Sequence, residues 1–202
     1  MESKPASTRN PRERSATKPA DLFTASDVAR FCQVDLKTIH NWADKGEIPH
    51  FRTPGRHLRF RRLDVLDFLR KYGYAVPEAL RQSKPRIVLV DSDASSSGGI
   101  KRALSKRFDV TSFTDPVDAL VSLSTLQPDA LLLDLDMPGC DGVHFFARIR
   151  SLEATAHIRN VGLTRRADMP GQAMQAGAIE VLDKADLAKL REVLEHVTGL
   201  DR

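Results

Sequence analysis

Cysteines and large aromatic residues are scarce in this chain. Its 202 residues include two cysteines, one tryptophan and two tyrosines. Cys32 falls in a predicted helix and Cys140 in a distant loop, so neither a disulfide framework nor a cysteine-based zinc site is expected. The sequence also lacks a bilayer-spanning hydrophobic run and a segment resembling a signal peptide. We therefore expect a cytoplasmic bacterial protein with two small domains.

Positive and negative charges are divided unevenly along the chain. Residues 1–85 hold 17 Lys and Arg against 10 Asp and Glu, a net charge of +7, whereas residues 86–202 hold 14 against 17, a net charge of −3. This asymmetry indicates that only the first half meets a phosphate backbone. Residues 1–20 are rich in Lys, Arg, Ser, Thr and Pro and poor in apolar residues, which predicts a disordered basic arm.

Two apolar segments in the second half end on acidic residues. Segment 130–133 leads into Asp134, and segment 87–90 leads into Asp91, Ser92 and Asp93. Continuous apolar runs are typical of strands buried in a parallel sheet, whose ligands collect at the carboxyl ends of the strands. Carboxylates gathered at such an edge suit a Mg²⁺ ion.

The motif LLLDLDMPGCDG at residues 131–142, followed by Thr164 and Lys184, resembles the receiver domain of response regulators. The resemblance covers residues 86–199 and implies a doubly wound α/β fold with a five-stranded parallel sheet. It also implies that Asp134 accepts a phosphoryl group from a sensor histidine kinase and that Thr164 and Lys184 sense it. The implied ligands of a Mg²⁺ ion are Asp91, Asp93, Asp134 and Asp136, the last through its backbone carbonyl.

Departures from the receiver pattern leave two other interpretations open. Ser92 stands where receivers usually carry a second acid, which weakens the expected metal site, and Val181 stands where an aromatic switch residue is typical. One alternative is therefore an unphosphorylated receiver-like domain used for dimerisation or partner docking in a nucleoid or recombination accessory protein. The other is a haloacid-dehalogenase-type phosphatase, whose DxD motif resembles residues 134–136. Pro138 argues against that enzyme, and we expect a non-enzymatic protein.

Residues 21–72 have the pattern of a small, mainly helical module that carries a β-hairpin. Thr24 and Asp27 form a capping box ahead of a first helix, and Asp35 caps a second helix. In that second helix Ile39 and Trp42 define an apolar face. Residues 51–60 predict two short strands that carry cationic side chains outward, and a third helix closes the unit.

This segment resembles the winged helix-turn-helix of the MerR and excisionase group. The resemblance implies that the second helix enters the major groove of double-stranded DNA while the hairpin, or wing, follows the phosphate backbone. Regulation of transcription and association with the nucleoid are the expected roles. The implied DNA contacts are Lys37, Thr38, His40, Asn41, Lys45, Arg52, Arg56, His57, Arg59 and Arg61.

Residues 73–85 predict a linker, in which residues 78–82 could form a short helix. No heptad run follows the winged module, so its dimerisation must come from elsewhere. The last helix of the second domain is predicted to bury Leu187, Leu190, Leu194 and Val197. Because receiver domains commonly dimerise, we expect a homodimer formed through the second domain.

Overall fold

The computed structural model describes residues 22–166 and 170–200, so the predicted arm at residues 1–20 lies outside the described residues. Helices and strands follow the two-domain organisation expected from the sequence. In chain order they are β1 (Leu22–Thr24), α1 (Ala25–Cys32), α2 (Leu36–Asp44), β2 (Phe51–Arg52), β3 (Leu58–Arg61), α3 (Arg62–Lys71), α4 (Glu78–Gln82), β4 (Arg86–Val90), α5 (Ala94–Leu104), β5 (Asp109–Phe113), α6 (Pro116–Leu126), β6 (Ala130–Asp134), α7 (Gly142–Ser151), β7 (Arg159–Thr164), α8 (Pro170–Ala176), β8 (Ala178–Asp183) and α9 (Leu187–Val197).

The winged module combines three helices with an antiparallel sheet in the order β1-β3-β2. The capping box is confirmed, since the Asp27 N–H donates to Thr24 Oγ1 and the Thr24 N–H donates to the Asp27 carboxylate. Asp35 accepts the N–H of Thr38 at 2.7 Å, which confirms the cap of α2. The wing follows the predicted alternation, because Leu58 and Phe60 are buried in the core of the module.

The second domain is a five-stranded parallel sheet in the order β5-β4-β6-β7-β8, as predicted for a receiver fold. Alternate residues of the central strands enter two separate apolar clusters, one beneath α5 and α9 and the other beneath α6, α7 and α8. Since β4 and β6 are neighbours, the residues at their carboxyl ends share one edge of the sheet. Among the described residues, no helix is both long and apolar enough to cross a membrane.

The segment between the domains contains the short helix that the sequence allowed, and one leucine of the last helix is more exposed than predicted. The segment 73–85 contains the short helix α4, and Leu80 in that helix is fully buried in the core of the winged module. In α9, Leu190, Leu194 and Val197 are buried as predicted, but Leu187 is 37% exposed. The prediction for Leu187 was wrong because it is the first residue of the helix and has no preceding turn to cover it.

The winged module contacts the edge of the receiver sheet at which β6 and β7 begin, opposite to the edge that carries Asp134. Arg61 Nε donates to Gln127 Oε1 at 3.2 Å, and Arg159 pairs with Asp67 at 2.6 Å. A cavity of about 40 Å³ lies between the two domains, lined by Asp64 and His157 among others. Asp64 Oδ2 and both ring nitrogens of His157 are buried without a hydrogen-bond partner among the described residues.

Asp64 and His157 give this interface opposing pH dependences. Burial raises the pKa of Asp64 to about 6 from 3.8, so the folded state holds an extra proton between these values and its stability falls as pH rises. Burial, assisted by the charge of Arg61, lowers the pKa of His157 to about 4 from 6.5. The unfolded state therefore binds the extra proton in that window, and stability rises with pH.

We predict that the two contributions largely cancel between pH 4 and 6 in the parent protein. Asp64→Asn should leave the histidine contribution, so the free energy of unfolding should rise with pH, by at most about 1.4 kcal/mol per unit. His157→Gln should leave only the Asp64 contribution, so the free energy of unfolding should fall as pH rises through the same window. Urea denaturation at several pH values measures both slopes, and identical slopes in the two variants would contradict the assignment.

Candidate functional site

Two buried carboxylates meet at the carboxyl ends of β4 and β6. Asp91 and Asp134 are 0% and 5% exposed, and Lys184, which follows β8, reaches both of them. Lys184 Nζ lies 2.7 Å from Asp134 Oδ2 and 2.9 Å from Asp91 Oδ2. The structure thus brings together the acid, the neighbouring acid and the lysine that the sequence placed on three separate strands.

The ammonium group of Lys184 is held firmly in its charged form. Burial alone would lower its pKa, but the hydrogen bonds and charges of Asp134 and Asp91 outweigh burial and raise it above its ordinary value. The same ammonium offsets the repulsion between the two carboxylates. The pairing of one lysine with both acids was not predicted, because no local pattern links Lys184 to residues 50 or more positions away.

Asp136 and Thr164 form a second cluster beside this pair. Thr164 Oγ1 donates to Asp136 Oδ1 at 2.8 Å, and the N–H of Arg165 donates to Asp136 Oδ2, also at 2.8 Å. The N–H of Asp136 donates in turn to Asp134 Oδ1 at 3.0 Å. The hydroxyl of Thr164 therefore binds the side chain of Asp136, a contact that was not predicted.

Of the four expected metal ligands, Asp91 and Asp134 are brought together by their shared contact with Lys184. Among residues 22–166 and 170–200, no three His, Cys, Asp or Glu side chains are placed to hold a metal ion. Asp93 instead caps α5, since its Oδ1 accepts the N–H groups of Ser95 and Ser96. Asp93 therefore has a capping role in this structure, and its role as a metal ligand stays a prediction. Asp91 Oδ2, by contrast, is buried and contacts the ammonium group of Lys184 at 2.9 Å.

The outward surface of the winged module carries most of the predicted DNA contacts. On α2 the side chains of Lys37, His40 and Asn41 are exposed, while Trp42 packs against Phe68 with ring centroids 5.1 Å apart. This confirms Trp42 as a core residue and leaves the polar face of α2 open. Thr38 is half-buried, and the exposed residues at the end of α2 and in the wing are Lys45, Arg52, Arg56 and His57.

The tip of the wing is a tight turn held by its own polar groups. Arg56 has a left-handed backbone with φ 61°, and its carbonyl accepts a hydrogen bond from Arg52 at 3.2 Å. Arg52 also pairs with Asp44 of α2 at 3.1 Å. Arg59 is half-buried and donates to the Leu58 carbonyl at 2.8 Å. The wing and α2 therefore form one connected cationic surface.

Arg61 is the exception among the predicted DNA contacts. Its guanidinium lies over the Phe51 ring, 5.1 Å from the centroid, and donates to Gln127 of the receiver domain. Burial in this interface lowers its pKa from the ordinary value, while Asp64 opposes the change. Arg61 therefore belongs to the contact between domains. This contact was not predicted, and it arises because β3 leads directly into the helix that meets the receiver.

Comparison with known proteins agrees with both halves of this description. A family model described as a helix-turn-helix domain matches residues 22–73, and one described as a response regulator receiver domain matches residues 87–195. The transcriptional regulatory protein PrrA of Mycobacterium leprae is 29% identical over 121 residues, which are 59% of this chain and 51% of PrrA. This chain thus spans about half the length of that relative.

Two further matches concern the receiver half. A protein-glutamate methylesterase/protein-glutamine glutaminase of Caulobacter vibrioides is 29% identical over 122 residues, covering 58% of this chain and 36% of that protein. The receiver domain of a sensor histidine kinase of Pseudomonas aeruginosa, solved with a magnesium ion in its active site cleft, has 26% identity and a TM-score of 0.53, covering 58% of this chain and 99% of that one. Since the receiver model matches more than half of the residues, the chain belongs to the response regulator receiver family.

Proposed function

We propose that this chain is a DNA-binding regulator of transcription whose receiver domain responds to phosphorylation of Asp134. The observation that carries the proposal is the buried pairing of Asp134 with Lys184 at 2.7 Å, in a chain that also presents the exposed polar face of α2. The first feature suits phosphoryl chemistry and the second suits the major groove. The match to a methylesterase covers about a third of that enzyme, so its activity is not extended to this chain.

Phosphorylation would proceed by attack of an Asp134 carboxylate oxygen on the phosphorus of a donor. The new O–P bond makes an acyl phosphate, and the bond from phosphorus to the leaving atom of the donor breaks. Lys184 now donates to Asp134 Oδ2, and its ammonium group would donate to the negatively charged oxygens of the added phosphoryl group. Thr164 would sense the same group after exchanging its bond to Asp136. The proposed donor is a sensor histidine kinase.

The cluster of Asp91, Asp134 and Lys184, here called the acidic pocket, also fits a divalent cation, though with fewer ligands than the sequence suggested. We assign Mg²⁺ to Asp91, Asp134 and the backbone carbonyl of Asp136, because the two buried carboxylates lie together at the carboxyl ends of β4 and β6 and share a single positive charge, that of Lys184. Mg²⁺ commonly uses one or two carboxylates together with phosphate oxygens. When bound, the ion would offset the negative charge that builds up during phosphoryl transfer.

Ser92→Asp is predicted to tighten Mg²⁺ binding about tenfold, by adding a carboxylate beside Asp91. Calorimetric titration of the full chain with Mg²⁺ measures the change. Ser124→Asp is the matched control. Ser124 is exposed on α6, so this substitution adds the same charge away from the pocket. Equal affinities in the parent and Ser92→Asp proteins would mean that another group already completes the site.

The proposed DNA contacts lie on α2 and the wing, away from the interface that holds Arg61. His40 and Asn41 would meet base edges, where an asparagine can pair bidentately with adenine. The cationic side chains would neutralise phosphates and set the register of the module. We also propose that the chain acts as a homodimer formed through its receiver domain. The residues assigned to DNA are Lys37, Thr38, His40, Asn41, Lys45, Arg52, Arg56, His57 and Arg59.

A second candidate function is favoured by the state of the acidic pocket. Lys184 already offsets one of the two negative charges of Asp91 and Asp134, and Ser92 supplies no second acid. A domain in this state could serve as a dimerisation or docking module that never carries phosphate. The chain would then be a nucleoid or recombination accessory protein.

Intact-mass measurement separates the two candidates. The full chain is incubated with a small phosphodonor and Mg²⁺, alongside Asp134→Asn. The proposed regulator gains the mass of one phosphoryl group only when Asp134 is present. An unchanged parent mass would favour the docking module, and an equal gain in Asp134→Asn would place the modification elsewhere.

A further inference from the structure

Four polar contacts between described residues join helix α3 and the residue before it to the receiver domain. Three of them start from arginine side chains of the winged module, and one joins Asp67 to an arginine of β7. The pairs are Arg61 with Gln127 (3.2 Å), Arg62 with the Thr198 carbonyl (2.9 Å), Asp67 with Arg159 (2.6 Å) and Arg70 with the Gly199 carbonyl (2.9 Å). Helix α3 is therefore the element through which the winged module is docked.

Arg62 connects three parts of the chain with one side chain. It is 5% exposed, and its Nη1 donates to the Thr198 carbonyl at the end of α9. Its Nε donates to Ser83 Oγ at 2.8 Å, and its Nη2 donates to the Leu80 carbonyl at 3.0 Å. The rigid, planar fork of a guanidinium fixes the directions of these bonds. Burial of a charge bound in this way favours a single relative orientation of the two domains.

The end of α9 lies very close to α3. Thr198 is the C-cap of α9, and Gly199 follows with φ +67°. A Cβ on Gly199 would lie 2.3 Å from Leu66 Cδ2, so the backbone approaches α3 without room for a side chain. Arg62 and Arg70 both donate to carbonyl groups at this terminus, where the partial charge of a helix is negative.

The other end of α9 lies next to the acidic pocket. Asp186, only two residues after Lys184, is its N-cap and accepts the N–H of Lys189. The helix runs for 11 residues, a length of about 16 Å, and is held to the sheet by Leu190 and Leu194. One packed helix thus joins the lysine of the pocket to the arginines of the winged module.

We infer that α9 couples the acidic pocket to the winged module, with Arg62 and Arg70 as positioning residues that transmit its displacement to α3. The polar face of α2 is exposed while the domains are docked, so the coupling acts on the orientation of the module and leaves its DNA surface open. The inference rests on the proposed function, because it gives the route by which phosphorylation at Asp134 would alter DNA binding.

The experiment uses the full chain and the variants Arg70→Ala and Arg62→Lys. Each protein is treated with phosphodonor and Mg²⁺, weighed intact, and titrated with a labelled duplex. In the parent, phosphorylation should change DNA affinity by at least about fivefold. Both variants should gain the same mass yet show a change below about twofold, because the contact with α9 is weakened. Lys71→Ala, an exposed neighbour on α3 that contacts the Tyr72 ring, should respond like the parent.

Parental responses in both Arg70→Ala and Arg62→Lys would overturn the coupling. If the parent gains no mass, the proposed function fails, and Lys184→Gln then tests the coupling alone. This substitution should change amide hydrogen exchange in α3 relative to α1, and the difference should vanish when Arg70→Ala is added. A difference that persists in the double variant would overturn the route through α9.

Discussion

Replacement of Lys184 by alanine is expected to lower the free energy of unfolding by about 3 to 5 kcal/mol, because it removes one partner of a buried ion pair. Lys184 Nζ lies 2.9 and 2.7 Å from carboxylate oxygens of Asp91 and Asp134, and all three side chains are buried. Without the ammonium the two carboxylates would face each other uncompensated. Mg²⁺ should recover part of the loss by binding the folded state. Urea denaturation with and without Mg²⁺ measures both effects.

Lys189→Ala provides the matched control for this substitution. Lys189 lies on the same part of the chain and pairs with Glu192 at 2.9 Å, but the pair is exposed to solvent. Exposed ion pairs contribute little to stability, so this variant should unfold close to the parent. A loss in Lys184→Ala no larger than in Lys189→Ala would show that the pocket does not depend on the lysine for its balance of charge.

Substitutions in the winged module should separate phosphate contacts from base contacts. Arg56→Ala is expected to weaken binding to every duplex alike and to reduce the salt dependence, the slope of log affinity against log salt, by about one. Asn41→Ala is expected to cost about 1 to 3 kcal/mol on the best site and to relax base preference. Both residues are exposed, so their loss should leave folding intact. Fluorescence anisotropy over a range of salt concentrations measures these effects.

Arg81→Ala controls for the loss of one positive charge. Arg81 is exposed on α4, outside the surface formed by α2 and the wing. The Arg81→Ala variant should bind DNA with the affinity of the parent. Equal losses of affinity in Arg81→Ala and Arg56→Ala would show that overall charge, and not the wing, determines binding.

The parts of the fold that depend on short stretches of sequence were predictable. Caps at Thr24 and Asp35 were confirmed because a capping bond spans three residues and leaves a local pattern. The proximity of Asp91 and Asp134 was predictable because each follows an apolar strand. The carboxyl ends of neighbouring parallel strands lie at the same edge of the sheet. Strand β1 was not predicted, because three residues form a strand here only through pairing with the distant β3.

The contact between domains could not be predicted from the pattern alone. Arg62 lies on the apolar face of α3, and its position on that face indicates that it is buried. The other residues of this face are Val65, Leu66 and Leu69. The stripe does not identify the carbonyl groups that receive its N–H bonds, which lie in α4 and after α9. The bond of Arg61 to the receiver domain could not be predicted for the same reason, because its alternation in the wing is that of a DNA contact and its partner Gln127 is 66 residues away.

The most direct test measures the affinity of the full chain for a duplex with and without phosphodonor and Mg²⁺, while intact mass is followed in the same samples. A regulator that acts through Asp134 should change its DNA affinity in step with the gain of one phosphoryl group. Asp134→Asn should keep the basal affinity and lose the change. An affinity that stays constant in samples shown by mass to be phosphorylated would contradict regulation through the receiver domain.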